Sequence, residues 1–386
     1  MVMSMSMVFV GLSAIAYDFD VTLRAASWVV IAQALTISAL MLPMGRMADI
    51  IGRKRVHLIG LSLFILGSVL TLAAATIETL ALGRALQAIG GCAGMALARA
   101  AIRDVYDRER SAAMIGYVTM AMVTAPMLAA PLGGWLFQTY GLDSVLLIPL
   151  VGGVATLALC AVGLRETLAV RSQKPVRLGQ IVLANARILK LASFRDYAMT
   201  GAFSATAYFT FVACSPFVSE RLMGVSPAGY GQWFLALSIA YMFANGFAGR
   251  FSGRIGGDRV IWMGLIFAQI GLAAIAWLAY DDALAPASLF LLMCFVSIGN
   301  GLTTPNAIAG AISADPTQAG AASGMTGFLQ MTLGALAGLV CGFFLDAYED
   351  PFVLAAAMLI ASTVAIYRFA TARSVWQPSS VSSHSQ

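Results

Sequence analysis

Charge is scarce in this chain: only 11% of its 386 residues are Asp, Glu, Lys or Arg, against 60% hydrophobic residues. That balance excludes an ordinary soluble protein, whose surface needs about a quarter of its residues charged. Histidine is scarcer, with His57 beside a basic segment and His384 near the C-terminus. Two histidines so placed, without a phosphate-loop or nucleophile-elbow pattern, point away from an enzyme, and no metal or cofactor is expected. The five cysteines, Cys92, Cys160, Cys214, Cys294 and Cys341, fall singly inside apolar runs. They read as small packing residues rather than a disulfide framework. Met1 to Tyr17 carries no Lys or Arg, so no basic n-region is present and a cleaved signal peptide is not expected.

What the chain has is a series of apolar runs separated by short polar punctuation. A helix needs about 20 apolar residues to cross a hydrocarbon core of roughly 30 Å, and a barrel would show alternating segments of about 10 residues instead. The expected spans are 1–17, 28–42, 57–77, 80–102, 113–137, 145–164, 197–218, 230–249, 260–280, 287–310, 319–344 and 352–370. The fold class predicted is therefore an all-α polytopic membrane protein of twelve transmembrane helices in two pseudo-symmetric six-helix bundles. The domains are residues 1–164, with a short first helix, a basic linker over 165–195, a second bundle over 196–371 and a polar tail over 372–386.

The organising stretch is Gly45-Arg46-Met47-Ala48-Asp49-Ile50-Ile51-Gly52-Arg53-Lys54-Arg55-Val56, read as a charged hinge joining two antiparallel spans. If it is cytoplasmic, that face collects 20 of the 23 Lys and Arg residues, leaving Arg24 and Arg221 opposite and Arg84 within a span. Cytoplasmic loops carry such an excess, so the linker and C-terminus are expected inside, in a plasma (inner) membrane. Confinement of the basic residues to loops gives nucleic acid no role; their partner is the bilayer with its anionic headgroups. At an offset of 204 the hinge is echoed by Gly249 to Val260, which repeats Gly45, Arg46, Ile51, Gly52, Arg55 and Val56. Six matches in twelve positions predict two parallel repeats, between which substrate sites of such folds lie.

With these residues in place the sequence resembles the major facilitator superfamily over nearly its whole length. Gly45, Asp49, Gly52, Arg53, Lys54 and Arg55 match the signature between spans two and three. Arg84, Gln87 and Gly90 resemble the span-four motif of drug/proton antiporters. Further stretches, Arg103-Asp104-Val105-Tyr106, Ser215-Pro216-Phe217-Val218, Ala322-Ser323-Gly324 and Phe328-Leu329-Gln330, are similar to the twelve-span bicyclomycin-resistance type. The span-five antiporter motif is matched only in part: one residue separates Pro131 from Gly133-Gly134, and Ala130 takes the expected proline place. The chain also begins inside its first apolar run, so either the reading frame starts farther upstream or the first helix is short. Asp18 and Asp20 then lie at its outer end.

The resemblance implies secondary active export of small amphipathic molecules, driven by protons through alternating access. Uptake of a small metabolite, proton-coupled or facilitated, is the alternative within transport; a non-transporting sensor or scaffold is the alternative outside it. A monomer is expected, with a small-molecule substrate and protons as partners. The conformational gate is assigned to Gly45, Asp49, Gly52, Arg53 and Arg103. A negative charge at the C-terminal end of span two is disfavoured by roughly 0.3 to 1 kcal/mol, so Asp49 needs partners: Arg53, Arg103 or the N-terminal end of span eleven near Ala319. The last contact would latch the two bundles; the plainer reading is that Asp49 and Arg53 cap a loop. Arg84 sits in apolar surroundings, where a charge costs a few kcal/mol unless it faces protein or water. With Gln87 at i+3 it is assigned to coupling, against a plainer reading as an interfacial charge. No acid lies at the middle of a span, so Asp18, Asp20 and Glu220 are the candidate proton carriers. Gln33, Tyr117, Tyr208, Phe211, Tyr241, Asn300 and Gln330 are candidate walls of a largely apolar cavity. Pro126, Pro131, Gly133 and Gly134 are expected to bend span five.

Overall fold

Apolar segments that cross a bilayer have no water to satisfy their backbone, so each must satisfy its own N–H and C=O groups within a helix. A computed structural model describes residues 15, 18–21, 23–105, 114, 125, 129, 132–167, 187–315 and 319–372, and among them it contains no strand. The first helices are α1 (Leu23–Ile51), α2 (Arg53–Leu72), α3 (Ile77–Val105) and α4 (Leu142–Gly163), with a further helical stretch over 132–140. Then follow α5 (Ala192–Pro216), which continues as a π-helical turn over Phe217–Leu222, α6 (Pro227–Ile255), α7 (Gly257–Tyr280), α8 (Pro286–Ser313), α9 (Ala319–Tyr348) and α10 (Pro351–Ala370). These correspond to the expected spans two, three, four and six, and then seven to twelve. Most of the expected first and fifth spans, with Tyr117, Pro126 and Pro131, lies outside the described residues, as do 168–186 of the linker and 373–386 of the tail. Seven described helices are long and apolar enough to cross a membrane.

The hinge corrects one expectation. Residues 45–51 are the last turns of α1, and Arg53 already opens α2, so the polar stretch is helical on both sides of a single residue. That residue is Gly52, at φ 110°, a conformation that costs an L side chain far more than glycine. Its counterpart 204 residues on, Gly256, has φ 96° and separates α6 from α7 in the same way. The backbone bonds repeat as well: Val56 N–H donates to Gly52 O and Val260 N–H to Gly256 O, both at 3.2 Å. A charged sequence suggested a loop, but one positive-φ glycine turns the chain and the charged residues belong to the helix ends on either side of it.

Glycine seams set how closely the helices approach. α2 packs on α3, and α7 on α8. A Cβ on Gly90 would collide with the carbonyl of Gly60 and lie 2.6 Å from Phe64 Cβ. A Cβ on Gly299 would collide with Gly264 O and lie 2.7 Å from Ala268 Cβ. One layer away, a Cβ on Gly67 would meet Gly83 O at 2.5 Å and Leu86 Cβ at 2.9 Å, whereas on Gly271 it would meet Leu292 O at 2.8 Å and Phe295 Cβ at 2.9 Å. The two pairs of helices therefore superpose contact by contact, with residues 204 apart on α2 and α7 and 209 apart on α3 and α8.

The cores are distributed unevenly along the helix axes. One large apolar cluster, at the end opposite the two hinges, joins Ile15, Ala26, Val29, Leu80, Leu142 and Leu146 of the N-terminal helices to Phe211, Val218, Tyr230, Phe290, Leu345 and others of the C-terminal set. At the hinge end the clusters described are separate. Met44, Ala48, Val56 and Leu97 form one within α1–α3; Phe194, Ala198, Ala311 and Ala322 form another within the C-terminal set. Packing of α1 against α9 spans the two sets. Among the described residues, apolar clusters therefore join the two sets at the end opposite the hinges and stay within each set at the hinge end.

Candidate coupling and gating site

Arg84 lies two turns into α3 and is fully buried. Its Nη1 donates to Gln87 Oε1 at 2.5 Å, as the i, i+3 spacing on a helix allows. Gln87 Nε2 in turn donates to Ser68 Oγ of α2 at 2.9 Å and reaches Thr71 Oγ1 at 3.5 Å. The two hydroxyls pass their own protons to backbone carbonyls, Ser68 to Phe64 O and Thr71 to Ser68 O, each at 2.8 Å. The result is a directed chain of donors from a buried guanidinium across the α2–α3 seam. Ser68 and Thr71, polar residues in an apolar span, are its members that sequence reasoning missed.

The superposition of the seams shows what the other repeat places there. Arg84 and Gln87 correspond to Met293 and Val296, and Ser68 and Thr71 to Leu272 and Ile275. All four counterparts are buried in the apolar cluster. The same helix packing is therefore achieved once with a charge and three polar groups, and once with aliphatic side chains alone.

At the hinge end, Arg53 Nε contacts Asp104 Oδ2 of α3 at 3.1 Å, and Thr167 Oγ1 donates to the same oxygen at 3.2 Å. The backbone N–H of Arg53, an orphan donor at the start of α2, donates to Glu166 Oε1 at 2.9 Å. A carboxylate at a helix N-terminus is favourable both as an acceptor and against the helix dipole. Lys54 Nζ closes over Ala161 O at 3.0 Å. The sequence named Arg53 and Arg103 as candidate partners of Asp49; Asp104 and Glu166 accompany Arg53 here, while the side chains of Gly45, Asp49 and Arg103 lie outside those described. In the C-terminal set the same end is held by Arg368 Nη2 and Asp196 Oδ1 at 3.0 Å, and by Tyr197 donating to Asp258 Oδ1 at 2.7 Å. Each of these contacts lies within one set of helices.

The candidate cavity residues divide. Asn300 is buried on α8, where its Oδ1 accepts from Thr304 Oγ1 at 2.7 Å and from Ser204 Oγ at 3.5 Å. Gln330 on α9 is buried near Gly201 of α5, and its Nε2 has no hydrogen-bond partner among the described residues. Tyr208 stacks on Tyr241 with ring centroids 6.0 Å apart. These groups form a polar and aromatic band centred on 201–208 of α5. Gln33 is buried on α1. Phe211 instead packs edge-on to Phe290 at 6.0 Å within the large apolar cluster, where it is fully buried. Gly133 and Gly134 are buried in the helical stretch 132–140. Asp18 and Asp20 are exposed, whereas Glu220 is half-buried in the π-helical turn that ends α5.

A family model described as Major Facilitator Superfamily matches residues 1–339. Among curated proteins, the chain is 29% identical over 313 residues to the uncharacterized MFS-type transporter YdgK of Bacillus subtilis, covering 80% of this chain and 76% of that protein. It is 23% identical to a bicyclomycin resistance protein homolog of Haemophilus influenzae, with 86% and 83% covered. It is 26% identical to the putative multidrug resistance protein MdtD of Escherichia fergusonii, with 63% and 52% covered. In fold it resembles a bacterial homolog of the human lysosomal transporter Spinster, crystallised inward-facing and unoccupied. The TM-score is 0.72 at 16% identity, with 96% of this chain and 91% of that chain covered.

Proposed function

The chain belongs to the major facilitator superfamily, and on that premise we propose that it exports small amphipathic compounds across the inner membrane in exchange for protons, by alternating access. The observation that carries this reading is the buried Arg84 chain and its aliphatic counterpart. Burying a guanidinium in an apolar bundle is expensive, and Met293, Val296, Leu272 and Ile275 fill the equivalent contact without it. Packing therefore does not require the charge. A fixed positive charge linked through Gln87 to α2 is suited to sensing whether a proton or a substrate occupies the space beside α3.

The basic hinge supports a cytoplasmic assignment for the hinge end of the bundle, and the separate apolar clusters described there favour reading the conformation as inward-facing. The two bundles, 1–164 and 196–371, would rock about the outer core. Arg53, Asp104 and Glu166 keep the hinge of the first bundle rigid, so that Asp49 at the end of α1 can meet the start of α9 when the cytoplasmic end closes. The relatives named for bicyclomycin and multidrug resistance favour drug-like cargo, as does a polar band with two stacked tyrosines and few charges. The test is transport in proteoliposomes with an imposed pH gradient. Substrate movement against its own gradient, abolished by collapsing the proton gradient and by Arg84→Met, is expected. Equal transport with and without the proton gradient would overturn proton-driven export and leave facilitated transport.

A further inference from the structure

Where α2, α3 and α4 meet there is a cavity of about 230 Å³, and no member of the Arg84 network lines it. His57 and Phe64 line it from α2, Gly90 and Gly94 from α3, and Gly153 and Thr156 from α4. Contacts between α2 and α4 bound it at both ends. Toward the hinge, Lys54 Nζ reaches Ala161 O at 3.0 Å; at the deep end, a Cβ on Gly153 would lie 2.9 Å from Phe64 Cδ1. His57 lies four residues beyond Arg53 and Phe64 eleven, so at 1.5 Å per residue the cavity runs from roughly 6 to 16 Å below the hinge. That depth is one leaflet of a hydrocarbon core roughly 30 Å thick. Ile59 and Leu66 of α2 and Val151 and Val154 of α4, on the flanks of the same walls, are exposed, as apolar side chains that face lipid are.

The second repeat fills the corresponding place with protein. At the offset of 204, His57 and Leu61 correspond to Ile261 and Leu265, which are buried together with Ala307 of α8 and Ala365 and Phe369 of α10. The Phe369 ring meets Trp262 edge-on, with centroids 5.3 Å apart. In the first repeat the junction holds glycines, an open space and one unsatisfied polar atom. His57 Nδ1 is shielded from solvent and has no hydrogen-bond partner among the described residues, a costly arrangement for a ring nitrogen. Thr156, by contrast, donates to Gly152 O of its own helix at 2.7 Å. At the hinge end, Lys54 is an ammonium with three donors, of which the contact with Ala161 uses one, and Arg55 beside it is exposed.

We propose that this cavity binds an anionic phospholipid of the cytoplasmic leaflet. One acyl chain lies between α2 and α4 against the glycines of α3, an ester carbonyl accepts a hydrogen bond from His57 Nδ1–H, and the phosphate group meets Lys54 and Arg55. The order of groups along the cavity is the order along such a lipid: basic residues at the surface, one polar atom a turn below, then apolar walls for the depth of a leaflet. Basic side chains at this level attract negatively charged headgroups, and the lipid completes in the first bundle the packing that Phe369 and Trp262 complete in the second. From the proposed function this inference takes only the cytoplasmic placement of the hinge; it concerns neither export nor proton coupling, and its test measures no transport.

The test is native mass spectrometry and thermal unfolding of the purified full-length protein in detergent, with phosphatidylglycerol or phosphatidylcholine carrying the same acyl chains. The parent should bind phosphatidylglycerol at least about tenfold more tightly, as two basic side chains near a headgroup provide. Lys54→Met should reduce that preference severalfold, and His57→Ile, which copies the second repeat, should weaken both lipids equally. Gly152→Phe and Thr156→Phe fill the cavity from exposed positions, and a Cβ on Gly152 meets nothing within 4 Å. Both should unfold like the parent without added lipid and lose stabilisation by either lipid. R254M/R259M, at the second hinge, should keep the parent's preference. Glycerol phosphate, a headgroup without chains, should not stabilise the parent. Retention of phosphatidylglycerol by both filled variants overturns the proposal. So does a preference that R254M/R259M abolishes as fully as Lys54→Met, which would mark diffuse attraction to the basic face, or full stabilisation by glycerol phosphate, which would mark a site for a soluble anion.

Discussion

Copying the aliphatic set of the second repeat into the first separates what Arg84 does for folding from what it does for transport. Gln87→Val alone removes the acceptor of the Arg84 Nη1–H bond, 2.5 Å long and wholly buried. It also removes the donor that satisfies Ser68. A hydrogen bond to a charged group contributes about 1.5 to 3 kcal/mol, and the stranded guanidinium proton adds a desolvation cost, so a loss of about 3 kcal/mol is expected. Arg84→Met strands the neutral Gln87 oxygen and relieves a buried charge, which places it near 1 kcal/mol. The pair R84M/Q87V should then be more stable than Q87V, a coupling of about 2 kcal/mol in a double-mutant cycle. Adding S68L and T71I reproduces Leu272, Ile275, Met293 and Val296. It exchanges two long polar side chains for shorter ones and two short ones for longer, so total volume is nearly kept, with a repacking cost of about 1 to 3 kcal/mol. Thermal unfolding in detergent would measure the stabilities, and pH-driven transport in proteoliposomes the activity. The quadruple variant should remain folded and bind lipid bilayers normally while transport falls at least a hundredfold. If Q87V is as stable as the parent, or the quadruple variant still couples transport to the pH gradient, the argument from the two repeats fails.

Three further outcomes follow from the same geometry. Gly90→Ala and Gly299→Ala each drive a methyl into a facing glycine carbonyl and should cost about 2 to 3 kcal/mol by overpacking. Gly249→Ala, which meets nothing within 4 Å, should be neutral or slightly stabilising; thermal unfolding of the three side by side checks the seam. Asp49→Asn should leave unfolding unchanged but shift the balance toward the inward-facing state, read as faster labelling of a cytoplasmic cysteine; unchanged labelling removes the latch. Arg368→Met breaks the partly buried pair with Asp196 and should lower stability by about 1 to 2 kcal/mol, an effect absent in the background of Asp196→Asn.

What was legible in the sequence was whatever repeats along it. Apolar runs of span length marked the helices. The glycine of the hinge and its echo at a constant offset marked two equivalent turns, which the backbone reproduces at Gly52 and Gly256. The i, i+3 spacing of Arg84 and Gln87 was legible as a shared face. The conformation of the hinge was not: five charged residues in twelve suggested a loop, because composition cannot show that one glycine suffices to reverse the chain. Nor were the partners. Arg53 meets Asp104 across 51 residues and Glu166 across 113, and Gln87 meets Ser68 across 19. No periodicity links such positions; only the packing of α2 on α3 and α4 does. The surroundings of Phe211 were hidden for a related reason, since the side of the helix an aromatic residue faces depends on Phe290, 79 residues away.

The two repeats also divide the molecule into architecture and mechanism. What they share is what any pair of antiparallel spans needs: a positive-φ glycine at the turn and small residues where helices cross. Where they differ, one repeat departs from the least costly solution. α2 and α3 carry Arg84, Gln87, Ser68 and Thr71 where α7 and α8 carry four aliphatic residues. Asp49 and Arg53 of the first hinge are replaced by Gly253 and Gly257 in the second. A fold that only had to be stable would have no use for these asymmetries, because its own second half packs without them. Two bundles that move against each other, as proposed, would need them. Only groups that interact differently in the two states can shift the balance between those states, and identical halves would offer no such difference. On the proposed cycle, the polar network and the hinge that carries Asp49 and Arg53, both confined to the first bundle, are where that difference would reside.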